Sequence, residues 1–546
     1  MINDDQIWLL EVPYLGTDGS QQVLRSATSA DFMTQPTEQP ANASYLPTLL
    51  TPGIFERHAW AKYTTRGRST VGFGSPLLNN SEGQYDGLKN CSFGGQVPVL
   101  RRGPRTGNYP SDYPPYITGA LEGAFFPWSQ VQLLFRDGLG LFFQKPIQMA
   151  LYGGTNVLPA GFDGVAADLQ GKCKPLCLGG ASNATGPCVN TTKLTYQAHD
   201  RTFLNVGSVT ISAVRDKGVA LTVGTQYATV AALQAATTAA SHWDWCDDPV
   251  YGAFYQLGSS PVGPVTFDAT TSINTVAGIL NAILTGPGGI DPALINGVGA
   301  LNNKVSGPVR YWVDTSQQYI GDVVQLFLDT CNAYLVDSRD STWRMGKLAL
   351  PTVFPKVRFR TDQIKGVPNV IQGNDLGGDA PQVSTNTPAM SAPVYRVIVN
   401  YDFNSTIQTE ADIAGAGLVR LGYTKQAYRQ VVVEDDSILA LHPEAITLMI
   451  TTQFAAQADA LGEGKAQLAL RRVAPTIMEI PLHPSDAMQL DLLDDQPFAI
   501  DVPRFDWPQL AFYAIGFVDD PGDPKTKSTT TVVGWGIPDP TARTAA

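Results

Sequence analysis

The chain has 546 residues and a formal net charge of −12, with 37 Lys and Arg against 49 Asp and Glu. This length exceeds what one hydrophobic core ordinarily holds, so about three or four domains are expected. The acidic balance argues against a nucleic-acid-binding surface, because neutralising phosphates requires clustered Lys and Arg. The densest basic spots are two pairs, Arg101-Arg102 and Arg471-Arg472.

Only 16% of the residues are charged, below the roughly 25% that is usual for soluble proteins. With 52 Gly and 39 Pro, this composition predicts β-rich structure with much of its surface hidden in contacts. A Gly- and Pro-rich secreted all-β protein is the alternative. The first ten residues lack the basic start and apolar core of a signal peptide, and no run reaches the roughly 18 apolar residues of a membrane span. We therefore expect cytoplasmic accumulation in the producing cell and no membrane insertion.

Residues 1–115 predict short strands separated by turns. A polar turn at 79–83 lies between two strands, and Gly94-Gly95 makes a second turn before a strand at 96–100. The Asn- and Glu-rich loop raises the question of Ca²⁺ binding. It lacks the regular alternation of acidic ligands that such loops use, so we expect no metal there.

The segment 135–179 alternates short apolar runs with Gly-Gly, Pro-Ala-Gly and Lys-Pro-Leu turns. This pattern is typical of tightly connected β-structure. Further on, 214–221 predicts a hairpin that turns at Asp216-Lys217-Gly218, and the Ala-rich stretch 227–240 predicts a short helix.

Six cysteines are too few for a disulfide scaffold in a chain of this length. Cys173, Cys177 and Cys188 lie close together in sequence, which leaves a metal site or a disulfide open. A C-x₃-C followed by a lone Cys lacks the paired C-x₂-C spacing of a zinc ribbon. Free thiols in packed turns are the preferred interpretation.

An aromatic cluster follows at His242, Trp243, Trp245 and Tyr251. On an open surface these rings would suggest carbohydrate binding by stacking. Trp and Tyr also dominate buried contacts and interfaces, and we prefer a core or interface role. Trp243, Trp245 and Tyr251 are the candidate interface or carbohydrate-contact residues.

The later elements follow from spacing and composition. They are a hairpin with a Pro/Gly turn at 252–270, a helix at 275–284, an amphipathic helix at 323–335, a strand at 395–401, an Ala-rich helix at 445–470 and a terminal β-region at 499–536.

No catalytic motif is present in the sequence. The five histidines stand in no His-x-x-x-His, Cys-His or Ser-His-Asp arrangement, and neither a Gly-x-Ser-x-Gly nor a phosphate-binding loop occurs. Asp244, Asp247 and Asp248 are the candidates from which a carboxylate pair for glycoside hydrolysis could come, since such pairs are defined in space rather than in sequence. We expect no enzyme, no cofactor and no metal.

Several motifs resemble those of baseplate hub (central tail-tip) proteins of siphophages and related gene-transfer particles. The segment 135–179 carries Tyr152, Gly154 and Asn156, then Pro159 to Gly161, then Lys174 to Gly179. A second match contains Val265, Thr266 and Asp268, and a third the Asn-x-x-x-Gln pair of Asn404 and Gln408. The resemblance occurs in the same order over five segments: 79–103, 135–179, 252–268, 323–348 and 395–536.

The resemblance implies a mainly β fold with some α (α+β), built from several small β-barrel-like domains. The expected divisions are an N-terminal β-rich domain at 1–115, a second β-rich domain at 116–245, a middle α+β domain at 246–355 and a C-terminal α+β domain at 356–546. These domains are allowed to be discontinuous.

The resemblance also implies a structural role in the virion, with assembly in the host cytoplasm. Such hubs form homotrimers that join the tail tube and distal tail ring to the tip. They contact the tape-measure protein and tail-fibre or receptor-binding proteins, and genomic DNA passes through them only transiently. The alternatives are a receptor- or carbohydrate-binding tail component and, with less support, a tail-associated cell-wall hydrolase.

Overall fold

A computed structural model describes residues 6–29, 32–67, 69–118, 120–136, 142–155, 161–338, 342–350, 354–370, 393–473, 475–493, 496–502, 510–520 and 528–538. Within these residues the chain is mainly β with some α, arranged in several separate sheets, which confirms the predicted fold class. No helix in these ranges is long and apolar enough to cross a membrane.

Two four-stranded antiparallel sheets form the N-terminal part. In spatial order, the first contains Pro115–Thr118, Val99–Pro104, Gln6–Leu15 and Gln21–Ala27, and the second contains Ala120–Phe125, Gln130–Arg136, Leu77–Asn79 and Leu49–Thr51. A short pair, Phe32–Met33 with Ser44–Tyr45, and the 3₁₀ helix Asp86–Asn90 complete it.

The strand Gln6–Leu15 is covered on both faces, because successive side chains point to opposite sides. Trp8 and Leu10 pack into the core between the two N-terminal sheets. Ile7 and Leu9 pack instead into a smaller aromatic cluster on the other side. An almost continuous apolar run therefore forms a strand here and not a helix.

The middle of the chain contains several sheets around one continuous apolar core that runs from residue 142 to residue 460. In spatial order, a four-stranded sheet contains Gly180–Ala184, Val265–Thr271, Val209–Asp216 and Val219–Ala220, and a five-stranded sheet contains Cys188–Asn190, Thr195–Asp200, Gly252–Leu257, His242–Asp248 and Thr222–Tyr227. A two-stranded sheet pairs Leu176–Leu178 with Tyr311–Val313. Two three-stranded sheets contain Ile295–Asn296, Trp343–Lys347 and Ala333–Asp337, and Arg429–Glu434, Val394–Tyr401 and Ile446–Thr451.

Helices fill the spaces between these sheets. The longer α-helices are Val276–Thr285, Val298–Lys304, Ile320–Cys331 and Gln457–Leu470, and the shorter ones are Ala166–Leu169, Val230–Ala235, Leu421–Thr424, Asp436–Leu441 and Pro484–Ala487. Further 3₁₀ turns are Pro292–Leu294, Glu410–Asp412 and Gly415–Arg420.

A large sheet near the C-terminus includes strands from the N-terminal part of the chain. Its main path is Val357–Arg360, Phe498–Asp501, Leu510–Asp520, Thr529–Pro538, Thr476–Leu482 and Asn369–Val370. Phe55–His58 pairs with Leu510–Asp520 and with Thr70–Phe73. The predicted domain divisions at 115, 245 and 355 stay predictions.

Several local predictions are confirmed. The hairpin at 214–221 turns at Lys217 and Gly218, which both have positive φ, as a two-residue hairpin turn requires. The helix at 275–284 forms as Val276–Thr285, and Thr275 caps it by accepting a hydrogen bond from the Gly278 amide. The strand at 395–401 forms as Val394–Tyr401.

Three other elements begin or end away from their predicted positions. The helix predicted at 227–240 is only Val230–Ala235. The helix predicted at 323–335 is Ile320–Cys331, because Asn332 adopts a left-handed conformation (φ 53°) and the strand Ala333–Asp337 begins at once. The helix predicted at 445–470 covers only Gln457–Leu470.

The first part of 445–470 is wrong as a helix. Ile446–Thr451 is a strand that runs parallel to Val394–Tyr401. Its sequence, ITLMIT, is rich in β-branched residues, which favour strands. The edge of the strand Val394–Tyr401 provides the pairing partner. The hairpin predicted at 252–270 is also wrong, since Gly252–Leu257 and Val265–Thr271 form as strands but belong to different sheets.

A row of buried polar side chains joins the Trp343–Lys347 strand, the Gln457–Leu470 helix and the N-terminal part. The Lys347 ammonium contacts the Glu463 carboxylate, and both side chains are almost fully buried. Gln467 donates to Glu463 (2.5 Å), and Arg471 donates to the Gln467 side-chain oxygen. Arg471 also donates to the Thr65 hydroxyl (3.1 Å). These groups are each matched by a neighbour, as burial demands.

We expect Lys347→Met to lower the free energy of unfolding by about 3–5 kcal/mol, because Glu463 would keep a buried charge without its cation. The double variant Lys347→Met, Glu463→Gln removes that charge and should recover more than half of the loss. Chemical denaturation followed by tryptophan fluorescence measures both.

Lys62→Met is the matched control, since Lys62 pairs with Glu56 at 3.0 Å on the surface. It should cost less than about 1 kcal/mol. Equal losses for Lys347→Met and Lys62→Met would contradict the proposed importance of the buried row.

Candidate functional site

The aromatic cluster predicted from the sequence lies on the strand His242–Asp248. Trp243 is 1% exposed and Trp245 is 9% exposed, and both pack in the large middle core. Tyr251 lies just beyond the strand and is 42% exposed, with its ring edge against Phe162. The faces of the two tryptophans are therefore covered by the chain itself. The three rings do not form a common stacking surface.

The three aspartates of the same strand bind neighbouring groups of the chain. Asp244 accepts hydrogen bonds from the Thr225 amide (2.6 Å) and the Thr238 hydroxyl (2.7 Å). Asp247 accepts from Arg201 (2.7 Å) and from the Val209 amide (3.0 Å).

Asp248 accepts hydrogen bonds from the amides of Val230, Val250 and Tyr251 at 2.9–3.1 Å. In Asp244, Asp247 and Asp248 alike, both carboxylate oxygens are engaged. This arrangement organises turns around the strand, and it leaves no carboxylate oxygen directed at a substrate.

The buried histidine His199 has a structural role. Its Nδ1 accepts a hydrogen bond from the Cys177 amide (3.2 Å). Burial, assisted by the positive charge of Arg201, lowers the pKa of His199 to about 3. The ring is therefore neutral at physiological pH, and such a pKa lies far from the value that suits a general base there.

All six cysteines lie in the described part of the chain and are free thiols. Burial raises the pKa of Cys177, Cys246 and Cys331 to about 12 in each case. Burial also raises the pKa of Cys173 and of Cys188. Within the described ranges, no group of three or more His, Cys, Asp or Glu side chains is placed to hold a metal ion.

The polar turn near residue 80 is held by its own side chains. Asn80 donates to the Asp86 carboxylate (2.9 Å) and accepts from the Tyr85 amide (2.8 Å). Asn79 accepts from the Ser81 amide (3.1 Å), and Gly83 has φ 75°. The carboxylate and amide oxygens here are used within the turn.

Within the segment 135–179, two described residues from opposite ends of the motif, Tyr152 and Lys174, contact each other. The Lys174 ammonium lies 5.4 Å from the centre of the Tyr152 ring, a cation–π contact. Gly179 has φ 72°, and a Cβ there would lie 2.2 Å from the Val309 carbonyl oxygen, so only glycine fits. Asn156 and the Pro159-Ala160 pair lie outside the described residues.

The Asn-x-x-x-Gln pair fastens a loop to the strand Gly180–Ala184. The side-chain amide nitrogen of Asn183 donates hydrogen bonds to the side-chain oxygens of Asn404 (3.1 Å) and Gln408 (3.1 Å) and to the Thr406 carbonyl (2.7 Å). The Asn404 amide in turn donates to the Thr424 carbonyl (2.9 Å). All three amide side chains are buried. Sequence reasoning missed Asn183, which has φ 52°, a conformation that Asn tolerates better than most residues.

A charged cluster lies beside this contact. The Asp268 carboxylate accepts hydrogen bonds from the Arg215 side chain (2.5 Å) and from the backbone amide of Asn183 (2.8 Å). Burial alone would raise the pKa of Asp268, but the hydrogen bond and charge of Arg215 outweigh it and lower the pKa below its usual value. Nearby, Tyr423 bonds to the Ser182 hydroxyl (2.7 Å). The contacts of Asp268 join three strands of the same sheet, and the Tyr423 contact links the chain after Asn404 to that sheet.

The comparisons with known proteins give structural similarities only. No protein-family model and no curated protein matches the chain. The 43 kDa tail protein of prophage MuSo2 from Shewanella oneidensis aligns with a TM-score of 0.35 at 8% identity, covering 97% of this chain and 98% of that one. The tail protein from Neisseria meningitidis MC58 aligns with a TM-score of 0.36 at 9% identity, covering 97% and 96%.

A chain of the virion of the native gene transfer agent particle aligns with a TM-score of 0.34 at 12% identity, covering 68% of this chain and 86% of that one. At such identities and TM-scores, the function of this chain has to be argued from its own residues.

We expect Asp268→Asn to lower the free energy of unfolding at pH 7 by about 1.5–3 kcal/mol, the range for hydrogen bonds to charged groups. The pKa of Asp268 is lowered in the folded state, so its contribution is present above the unfolded value of about 3.9. The contribution disappears as the pH falls through the folded pKa. The difference between variant and wild type should therefore shrink below about pH 4.

Asp362→Asn provides the control, because Asp362 and Arg360 form an exposed pair at 3.5 Å. Its cost should stay below about 1 kcal/mol. A pH-independent loss in Asp268→Asn would show that the carboxylate charge is not what stabilises the contact between these strands.

We expect Cys91, which is partly exposed, to react with a thiol reagent at pH 8 before Cys177, Cys246 and Cys331. The raised pKa of the three buried thiols keeps them protonated at this pH, and the thiolate is the reactive form. Alkylation of the native protein followed by peptide mass mapping gives the order. Early labelling of Cys246 would contradict the buried placement of its strand.

Proposed function

We propose that this chain is a structural component of a bacteriophage tail tip. In this role it is a baseplate hub protein that links the tail tube and distal tail ring to the tip and its receptor-binding apparatus. It forms part of the channel through which DNA passes. Copies of the chain assemble as a homotrimer and contact the tape-measure protein and tail-fibre or receptor-binding proteins.

One observation carries the proposal: the residues that make the sequence resemble hub proteins serve packing and not chemistry. Tyr152 and Lys174 contact each other, Gly179 permits a close backbone approach, and Asn404 with Gln408 fastens a loop. A motif of this kind preserves an architecture. That is what a protein needs when its function is to hold neighbours in fixed positions.

The charge balance is consistent with a channel. A wall rich in Lys and Arg would hold the phosphates of a passing duplex, whereas the chain has a net charge of −12. Three described arginines near the Asn404 loop are also paired, Arg215 with Asp268 at 2.5 Å and both Arg310 and Arg429 with Asp402 at 3.7 and 3.5 Å. An acidic hub allows DNA to pass without binding it.

The two alternatives have less support. A receptor- or carbohydrate-binding role depended on exposed rings at Trp243 and Trp245, and both are buried. A cell-wall hydrolase depended on free carboxylates at Asp244, Asp247 and Asp248, whose oxygens are engaged by the chain. Neither alternative is needed to account for these residues.

The proposal predicts where the protein is found in a particle. We expect antibodies against this chain to label the distal end of purified tails in negative-stain electron microscopy, and deletion of its gene to give tails without a tip. Quantitative mass spectrometry should find one trimer per particle. Capsid labelling, or complete infectious particles without the chain, would overturn the proposal.

A further inference from the structure

The hairpin between Ala120–Phe125 and Gln130–Arg136 ends in an uncharged aromatic turn, Phe-Pro-Trp-Ser at 126–129. Trp128 is 98% exposed, and Phe125 is 61% exposed. The turn is fixed: the Gln130 amide bonds to the Pro127 carbonyl (3.2 Å), and the Asn80 amide bonds to the Ser129 carbonyl (2.8 Å). A tryptophan is on average one of the more buried residues, so a fixed turn that presents its whole side chain to solvent indicates a contact surface.

The same N-terminal part contains an open cleft of about 470 Å³. Its walls include the apolar side chains of Leu24, Leu46 and Leu88, the ring of Tyr14 and the partly exposed thiol of Cys91. Arg25 also lines it, and the buried Nε of Arg25 has no hydrogen-bond partner. A cavity of roughly 150 Å³ already accommodates benzene. This cleft therefore has room for an indole ring together with a neighbouring apolar side chain.

We propose that Trp128 of one copy of this chain inserts into the cleft of a second copy. Trp128 does not fill the cleft of its own chain, because it is almost fully exposed there. The aromatic turn brings no charge that would lose its hydration on insertion. The Arg25 guanidinium supplies a cation for the face of the indole.

The proposed contact joins two different surfaces of the chain. The turn and the cleft are different surfaces of one chain, so the contact is heterologous, and repeating it closes a ring when the rotation allows. A tryptophan in a desolvated pocket is also the most common kind of interface hot spot. The inference deepens the proposed function and rests on it for bringing copies of the chain together.

Cross-linking through Cys91 tests the contact directly. Ser129→Cys places a thiol on the exposed turn and leaves Trp128 in place, and a short bis-maleimide should then join it to Cys91 of a second copy. We expect a dimer band on denaturing gels and a linked peptide pair by mass spectrometry. The double variant Ser129→Cys, Cys91→Ser is the control and should lose that linked pair.

Light scattering over a concentration series gives an independent measurement without cysteine chemistry. Trp128→Ala should weaken self-association about thirtyfold, the loss that corresponds to a hot spot of about 2 kcal/mol. Phe354→Ala removes another exposed aromatic side chain, 74% exposed, and should leave association unchanged. Unchanged melting temperatures would show that both variants fold, as the exposure of both side chains leads us to expect.

Each outcome decides the inference. No linked pair and unchanged association of Trp128→Ala overturn the contact, although the chain still assembles. A wild-type protein that stays monomeric, together with a Ser129→Cys variant that gives no linked pair, also overturns it. Labelling of tail tips in particles is read separately, so the tail role can stand when this contact fails.

Discussion

The segment from Phe55 to Arg66 holds together parts of the chain that are far apart in sequence. Phe55–His58 pairs with Leu510–Asp520, and the Ala59 amide bonds to the Ile515 carbonyl (2.9 Å). Trp60 is 1% exposed and its indole nitrogen lies 3.4 Å from the Ala333 carbonyl oxygen. Thr65 receives the hydrogen bond of Arg471 that ends the buried polar row.

This segment contributes to two cores, because Phe55 packs between the N-terminal sheets and Trp60 packs in the core of the C-terminal sheet. The strand Phe55–His58 and its partner Leu510–Asp520 lie near opposite ends of the chain, so the loop that their pairing closes is very long. The closure entropy grows only slowly with such length, so a well-packed strand and a buried indole can offset it. The long separation in sequence instead slows folding, because non-local β-pairing forms late. The C-terminal sheet is complete only when both ends of the chain are present.

Sequence reasoning succeeded where a local physical cause decides the structure. Lys217-Gly218 specifies a hairpin turn through its backbone angles, and Thr275 begins a helix through its cap. It failed at 252–270 and at 445–456, where the strand pattern was readable but the partner was not. Gly252–Leu257 is buried along its length between two other strands. One partner is His242–Asp248, the strand just before it in the chain rather than the one after it, and the other is the more distant Thr195–Asp200.

The candidate site shows the same division. The types of residue at Trp243, Trp245, Asp244 and Asp247 were visible in the sequence, but exposure and hydrogen-bond partners come from strands elsewhere in the chain. Asn404 and Gln408 were found by resemblance, whereas their shared partner, Asn183, lies more than 200 residues earlier. The signal for Trp128 was present in the sequence as an aromatic turn without charge. A Phe-Pro-Trp sequence is also typical of a buried turn, so the sequence alone does not show that Trp128 is exposed.

The interior and the surface of this protein use polar groups differently. Inside, several charged groups are held by neighbouring side chains: Glu463 by Lys347 and Gln467, and Asp268 by Arg215. Such matching stabilises one arrangement, because a shifted register would leave buried groups without partners. The N-terminal surface differs, because Trp128 has no apolar neighbour that covers it. The proposed insertion of Trp128 into the cleft of a second copy would give that ring the apolar neighbours and the cation that its own chain does not place against it.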